Sequence, residues 1–232
     1  RRLLGDARDL DRPGWEAWRT LIAADRVADF IRARATNLWL GRDSHAVHYP
    51  VAAGRLINLV VIRRSGTTAE GWARQGDPAD LAPLVGIAAP VLQELIGLAP
   101  RWDVWTLRDR SPSPRLAKGC AALVGDAAHP VLPFLAQGAA LAIEDAALLA
   151  ASLPPPDALT RPAVEKGLAA YAQARAARVS RVYKAARDNA FNYHLPQPLA
   201  RLRDWRIRQL GADGMRQRYS WLYDWRAPPE RL

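Results

Sequence analysis

The sequence is poor in cysteine and in long apolar runs, and each shortage excludes a class of protein. Cys120 is the only cysteine, which excludes an internal disulfide and a metal site built from several cysteines. Its apolar neighbours predict that it lies in a buried strand. No run of about 18 apolar residues occurs, so no membrane span is predicted. The first residues lack the apolar core of a signal peptide, and the predicted compartment is the cytoplasm.

Positive charge exceeds negative charge and is concentrated late in the chain. The net charge is +10, and residues 171–232 carry 13 Lys and Arg against 5 Asp and Glu. Such a segment is either a solvated helical face or a surface for nucleic acid or an anionic membrane. The arginines alternate with apolar residues at helical spacing, and neither a Cys/His finger nor an RNA-binding aromatic strand occurs. The pattern therefore favours the solvated face and predicts no nucleic-acid partner.

Hydrophobic periodicity predicts a mixture of strands and helices. Side chains alternate with period two around residues 45–50, which places His45 and Tyr49 on one strand face and His48 on the other. A turn at Gly54 and an apolar stretch at 56–62 complete a predicted hairpin. Other predicted strands lie at 15–19, 103–107 and 120–124, and predicted helices at 77–98 (broken at Pro83 and Pro90), 137–152, 162–189 and 198–210.

The segment from Gly125 to Pro130 carries the strongest chemical signal. Gly-Asp-Ala-Ala-His-Pro follows a short apolar strand and precedes a proline-rich loop and a helix. Such a turn places the Asp126 carboxylate at the carboxyl end of a strand, where α/β folds bind ligands. Gly138, near the helix start, lets a flat ligand approach backbone N–H groups, which favour negative charge. With Gly-Asp considered alone, a strand, loop and helix that merely pack together would be the better interpretation.

The longer string from Val124 to Asp145 resembles the flavin-binding motif of the salicylate hydroxylase and para-hydroxybenzoate hydroxylase family, the class A FAD-dependent aromatic monooxygenases. The resemblance implies that Gly125 and Asp126 bind FAD, with Asp126 holding the ribityl chain. The residues implied to line the isoalloxazine ring are Pro133, Gln137, Gly138 and Ala139. No metal ligand is predicted.

The resemblance extends over essentially the whole chain and suggests a substrate site. In the related enzymes a His and a Tyr at the spacing of His45 and Tyr49 line the aromatic pocket. His45 is implied to take the phenol proton, for which an imidazole pKa of about 6.5 is suited. The alternative is that His45 and Tyr49 only satisfy hydrogen bonds in the sheet. His48 is expected to be structural, His129 to orient the loop, and His194 to end a helix.

The implied fold is α/β, a fragment of the FAD-monooxygenase fold whose N-terminal Rossmann unit is missing. Residues 1–114 are expected to form a mixed-sheet substrate domain, 115–153 the C-terminal part of the FAD-binding domain, and 154–232 trailing helices. The implied activity is FAD- and NAD(P)H-dependent hydroxylation of a phenol or hydroxylated N-heteroaromatic compound through a flavin C4a-hydroperoxide. The implied partners are a small aromatic substrate and O2, and a homodimer is compatible with the family.

One departure from the family pattern leaves alternatives open. The family binds the ADP half of FAD through a G-x-G-x-x-G loop, and no G-x-G occurs in these 232 residues. The sequence is therefore expected to be a fragment or a truncated product. An inactive flavoprotein remnant and a basic nucleic-acid or membrane-surface protein are the rival interpretations, and an epoxidase or reductase is the rival among flavoproteins. A G-x-G-x-x-G upstream of Arg1 would favour the enzyme.

Overall fold

The computed structural model of the chain describes residues 2–6, 8–65, 73–85 and 88–228. The chain divides into two compact units. A sheet unit contains Arg12–Leu107 and Phe191–Ala200, and a helical unit contains Arg1–Asp11, Arg108–Ala190 and Arg201–Leu232. The α/β class is confirmed. The three-domain division expected from the sequence stays a prediction.

The sheet unit is built on six strands among the described residues, in the order β2-β3-β4-β1-β6-β5. Every described pairing in this sheet is antiparallel, so the mixed sheet expected from the sequence was wrong for these strands. Short turns join β2 to β3 and β3 to β4, whereas a parallel pair needs a long crossover. The strands are β1 Trp15–Ala23, β2 Asn37–Gly41, β3 Ser44–Val51, β4 Leu56–Arg64, β5 Ala73–Gly76 and β6 Trp102–Thr106.

The predicted hairpin around Gly54 is confirmed as β3 and β4. Gly54 has φ +85, a left-handed conformation that glycine adopts without steric cost. The register places His45 opposite Ile62 and Tyr49 opposite Asn58. The prediction of a five-residue strand at Trp15 was too short, because β1 continues to Ala23.

One face of this sheet packs against two short helices, α1 Ala82–Val85 and α2 Pro90–Gly97. Buried side chains of this face, such as Trp18 and Leu59, form one core with Leu95 of α2. The helical region predicted at 77–98 is thus two helices and a 3-10 turn, with Pro90 in the first turn of α2, where its missing N–H costs nothing. Residues 86 and 87 of that prediction lie outside the described residues.

The helical unit contains a two-stranded hairpin and most of the three longer helices. The strands are β7 Ala117–Lys118 and β8 Ala121–Ala122, and the helices are α3 Gly138–Ser152, α4 Arg161–Tyr193 and α5 Leu199–Tyr223. The prediction for Cys120 was wrong, because this residue is exposed in the turn between the two strands. Thr160 caps the start of α4, since its Oγ1 accepts from the Ala163 N–H at 3.4 Å. Within the described residues, no helix is long and apolar enough to cross a membrane.

The helix predicted at 198–210 is extended by the structure to Tyr223. Gly211 interrupts α5 with φ +61, so the backbone leaves helical geometry there and then resumes it. Gly211 explains why the periodic pattern stops near residue 210 although helical residues follow. The predicted helices at 137–152 and 162–189 are confirmed to within one residue at most ends, and α4 continues to Tyr193.

Candidate functional site

The Gly-Asp segment forms a tight turn in the helical unit. Residues Gly125–Ala127 make one turn of 3-10 helix, and Gly125 begins it with φ +55, which favours glycine. The turn separates buried from exposed groups. Asp126 is exposed, whereas Ala128 and His129 are buried, at 0% and 1% exposure. The loop therefore exposes the Asp126 carboxylate, while Ala128 and His129 are held in the interior.

The Asp145 carboxylate of α3 holds this turn in place through hydrogen bonds. Its Oδ2 accepts a hydrogen bond from the Gly125 N–H at 2.7 Å and lies 2.7 Å from His129 Nε2. Its Oδ1 accepts from Arg175 Nε of α4 at 2.6 Å. The Asp145 side chain is fully buried, so these charge-assisted bonds are shielded from water. One carboxylate thus joins the loop, α3 and α4.

The Asp145 carboxylate belongs to a larger buried charge network. Arg175 also donates to Glu144 Oε2 at 2.7 Å, and Arg178 donates to Glu144 Oε1 at 2.7 Å. Burial raises the pKa of Asp145, but hydrogen bonds from His129 and the Gly125 N–H, with the charge of Arg175, hold that pKa below its usual range. The carboxylate is therefore ionised at neutral pH and accepts the hydrogen bonds that hold the turn.

A second set of contacts holds the carbonyl groups of residues 127–130 in the loop. The buried Arg110 donates from Nη2 to the Ala127 carbonyl at 3.2 Å, and its backbone N–H donates to the Pro130 carbonyl at 3.3 Å. The Ser113 N–H donates to the Ala128 carbonyl at 3.1 Å. Three consecutive parts of the loop are thus fixed to residues 110–113, and the position of Asp126 follows from both sets of anchors.

The start of α3 lies ten residues along from this turn. Residues Pro133–Leu135 form a 3-10 turn, and Ala136 has φ +52 before the helix begins at Gly138. Pro133 and Ala139 are exposed and Gly138 is half-buried. Gln137 is buried, and its Nε2 donates to the Leu135 carbonyl at 3.4 Å, so its side chain supports the loop.

This part of the unit fits a bound flavin. The first helical hydrogen bond of α3 runs from the Leu141 N–H to the Gln137 carbonyl at 2.9 Å, so the preceding N–H groups have no acceptor within the helix. A β-carbon built on Gly138 meets nothing within 4 Å. The packing of the chain itself therefore does not demand glycine there, whereas a flat ligand resting on the helix start would. Those N–H groups and the helix dipole also suit the negative edge of a reduced flavin.

Two glycine variants test this interpretation. Gly138→Val is expected to leave unfolding nearly unchanged but to weaken FAD binding by about 10-fold, or about 1.4 kcal/mol, because the new side chain occupies the flavin position. Gly167→Ala is the matched control: its β-carbon would lie 2.3 Å from the Ser152 carbonyl oxygen. That variant is expected to lose about 1–3 kcal/mol of unfolding free energy. Urea unfolding and FAD titration measure both. Unchanged FAD affinity in Gly138→Val would contradict the placement of the flavin at the start of α3.

In the sheet unit, His45 lies on the face of β3 opposite the hydrophobic core. Its ring is buried, with Nδ1 2.9 Å from His194 Nε2 and the Tyr193 ring edge-on at 5.3 Å between centroids. Burial and the neighbouring His194 lower the pKa of His45 to about 3. His45 is therefore neutral at physiological pH, as a base must be, but it is a weaker base than an exposed histidine.

Tyr49 shares the strand face with His45 but has different surroundings. Four residues on a strand span roughly 13 Å. Tyr49 is half-buried and lines an open cavity of about 390 Å³ together with Arg32 and Arg34, and His45 is not among the described residues that line it. The structure thus confirms the shared face and does not bring the two side chains into contact.

His48 points to the opposite face of β3, as the alternation predicts. Its Nδ1 accepts a hydrogen bond from Trp39 Nε1 at 2.9 Å, and its cross-strand neighbour Leu59 belongs to the core. Burial lowers the pKa of His48, so this ring is neutral within the core. These contacts suit a structural residue.

The family is shown by comparison with known proteins. A model of the FAD binding domain family matches residues 10–186, which is more than half of the chain. The chain belongs to this family. Its match includes the Gly-Asp turn, the start of α3 and the strands that carry His45 and Tyr49.

Curated relatives and solved structures agree with this assignment. The chain is 34% identical over 224 residues to a 3-amino-4-hydroxybenzoate 2-monooxygenase of Streptomyces platensis, covering 94% of the chain and 55% of the relative. It is 31% identical over 214 residues to 3-hydroxybenzoate 6-hydroxylase 2 of Aquipseudomonas alcaligenes, covering 91% and 65%. A salicylate hydroxylase in complex with its substrate matches with a TM-score of 0.78 and 25% identity, covering 97% of this chain and 58% of that chain. The chain thus spans little more than half the length of most relatives it matches.

Three residues that support the candidate site were not expected to do so from the sequence. For Asp145 the sequence indicates only helix packing and capping, and it draws no attention to Arg110. His194 directly follows the end of α4, as expected, but its contact with His45 was not expected. The Gly125 N–H that Asp145 binds lies 20 residues away in sequence, and His194 lies 149 residues from His45. Side-chain contacts over such separations leave no periodic signal in a single sequence.

Proposed function

We propose that the complete protein is an FAD- and NAD(P)H-dependent monooxygenase that hydroxylates a phenolic ring. The observation that carries the proposal is the Gly125–Pro130 turn, which a buried charge network holds so that Asp126 is exposed. An ordinary packed loop has no need of a buried carboxylate bonded to its first N–H. A ligand that must meet Asp126 at a defined place does, because loose positioning of a binding group lowers affinity.

Residues of this chain would hold the flavin half of FAD. Asp126 would accept hydrogen bonds from the ribityl hydroxyls, and the N–H groups at Gly138 and Ala139 would face the ring. When bound, FAD would supply the activation of O2 that the side chains of the protein cannot provide. The chain's own part is to bind and orient the cofactor, and to remove the proton that makes the substrate ring electron-rich.

We infer that the substrate is a hydroxylated aromatic acid. The two curated relatives named above are called hydroxybenzoate oxygenases, which agrees with an anionic ring substrate. Uncharged hydroxylated N-heterocycles are the competing class within the same reaction.

His45 is proposed as the base that accepts the phenol proton. It is buried and neutral, and its Nδ1 is engaged by His194. A substrate proton would therefore arrive at the other ring nitrogen, Nε2. The resulting phenolate donates electron density into the ring, which is what an electrophilic oxygen donor requires.

Asp126→Ala tests the cofactor assignment. We expect FAD affinity to fall by roughly 10–150-fold, since hydrogen bonds to a charged group contribute about 1.5–3 kcal/mol. The measurement is flavin content after gel filtration, with a titration of FAD into the apoprotein prepared from the complete coding sequence. Asp157→Ala, at another exposed aspartate of the same unit, is the control and should bind FAD normally. Equal flavin retention in both variants would contradict the role of Asp126.

A further inference from the structure

The histidine pair in the sheet unit calls for a functional explanation. Two imidazoles meet here with Nδ1 of His45 2.9 Å from Nε2 of His194, and both residues are buried, at 4% and 8% exposure. A hydrogen bond between two neutral imidazoles requires one tautomer on each ring. The pair therefore fixes the His45 ring more strictly than an apolar neighbour would.

The tautomers follow from the proposed role of His45. If Nε2 is to accept a proton, Nδ1 of His45 must carry the hydrogen and donate it, so that His194 Nε2 is the acceptor. His194 then carries its own hydrogen on Nδ1. The 2.9 Å contact allows both this arrangement and its reverse, and the proposed role of His45 selects this one, in which the two rings form a path for a proton.

A proton that stayed on His45 would be costly. The ring lies in a buried site, where a charged imidazolium loses its hydration. Moving the charge one ring further places it on His194, which stacks on the Trp15 indole at 4.2 Å between ring centroids. The face of an indole attracts a cation.

Several groups close to the pair bear on its charge. Tyr193 contacts His45 from the same segment as His194, and the cross-strand neighbours Leu40 and Ile62 do not titrate. Arg64 lies over the Trp15 ring at 4.5 Å, a positive charge that disfavours a permanent imidazolium on His194. The charge on His194 is thus suited to a transient state, after which the proton passes on.

We propose that His194 is the positioning residue of His45: it fixes the ring through Nδ1 and accepts the Nδ1 proton when a substrate hydroxyl gives its own proton to Nε2. One proton enters the pair and one moves within it, so the substrate becomes a phenolate and His194 an imidazolium. This inference rests on the proposed function, in which His45 is the base.

The test separates positioning from proton transfer with two variants of the holoenzyme. In His194→Gln the amide oxygen still accepts from His45 Nδ1 but takes up no proton, whereas His194→Phe provides neither function. The probe is 3-hydroxybenzoate. Its phenolate absorption band reports deprotonation in the bound state, and product formed per NAD(P)H reports coupling, both measured across a pH series. His48→Gln, a buried histidine on the other face of the same strand, is the matched control.

We expect His194→Gln to lower kcat/KM for hydroxylation by roughly 10–100-fold near neutral pH, similar to the loss when the hydrogen-bond partner of a metal-ligating histidine is removed. The rate and the phenolate band should recover at higher pH, where the phenol ionises without the relay. KM should change little in His194→Gln, and His194→Phe should in addition be uncoupled. His48→Gln should keep the wild-type pH profile.

The outcomes distinguish a failure of this inference from a failure of the proposed function. A wild-type pH profile and phenolate band in His194→Gln would overturn the proton transfer, whatever His194→Phe does. Well-coupled, undiminished hydroxylation in His45→Gln would instead overturn the proposed base and with it the inference. Loss of hydroxylation in His45→Gln together with a normal His194→Gln profile would overturn the inference only.

Discussion

His45→Ala is expected to lower ring hydroxylation by about 10²–10⁴-fold, the usual contribution of a general base. The physical reason is that the substrate then reacts as the neutral phenol, whose ring is less electron-rich. Flavin reduction by NAD(P)H does not need this proton transfer and should be affected less. Oxygen is then consumed without product, and hydrogen peroxide accumulates.

The measurement is product and peroxide per NAD(P)H consumed, in the holoenzyme with a hydroxybenzoate substrate. His48→Ala is the control, because His48 lies on the other face of β3 and bonds Trp39 within the core. It should act through stability and remain coupled. Uncoupling in the His48 variant alone would reverse the assignment of the two faces.

Asp145→Ala is expected to destabilise the helical unit strongly. It leaves Arg175 and His129 without their buried acceptor and releases the Gly125 N–H. Breaking a buried ion pair from one side costs about 3–5 kcal/mol of unfolding free energy. FAD affinity should fall as well, because the turn that carries Asp126 loses its anchor. Asp145→Asn keeps an acceptor for the Gly125 N–H and should lose less of both.

The pH dependence of stability gives an independent check on Asp145. Its pKa is lowered in the folded state. Its contribution is thus present above its ordinary pKa of about 4 and is lost as the pH falls through the lower, folded value. Asp145→Asn should therefore lose less stability on acidification than the wild type. Urea unfolding across this range is the measurement, with Glu165→Gln at an exposed pair as the control expected to change stability by about 0–1 kcal/mol. Equal acid sensitivity of wild type and Asp145→Asn would contradict the anchor.

The sequence predicted those features that depend on local order. The β3–β4 hairpin follows from alternation around His45 and the left-handed Gly54, and α3 follows from an alanine-rich run after Gly138. The Gly-Asp turn was located because its residues are contiguous. Strand pairing was less accessible: β1 pairs with β4 and β6, both far along the chain, and the antiparallel arrangement comes from these pairings.

The supporting contacts of the site could not be read from residue order. In the sequence, Asp145 resembles any acidic residue of a helix, and only the fold shows that α4 brings Arg175 to it. His194 follows the end of a helix, as expected, and only the fold shows that it contacts His45. The reactivity of His45 likewise depends on burial. An unperturbed imidazole was the reasonable expectation, and burial beside a second histidine lowers its pKa to about 3.

The central claim is that this chain carries the flavin and substrate elements of an aromatic-ring monooxygenase, and one measurement tests it most directly. The protein made from the complete coding sequence is loaded with FAD and supplied with NAD(P)H, isotopically labelled oxygen gas and a series of hydroxybenzoates. We predict a ring-hydroxylated product that contains one labelled oxygen atom, formed in proportion to the NAD(P)H consumed. Flavin reduction that yields only labelled peroxide with every hydroxylated ring offered, or a protein that retains no FAD, would contradict the account.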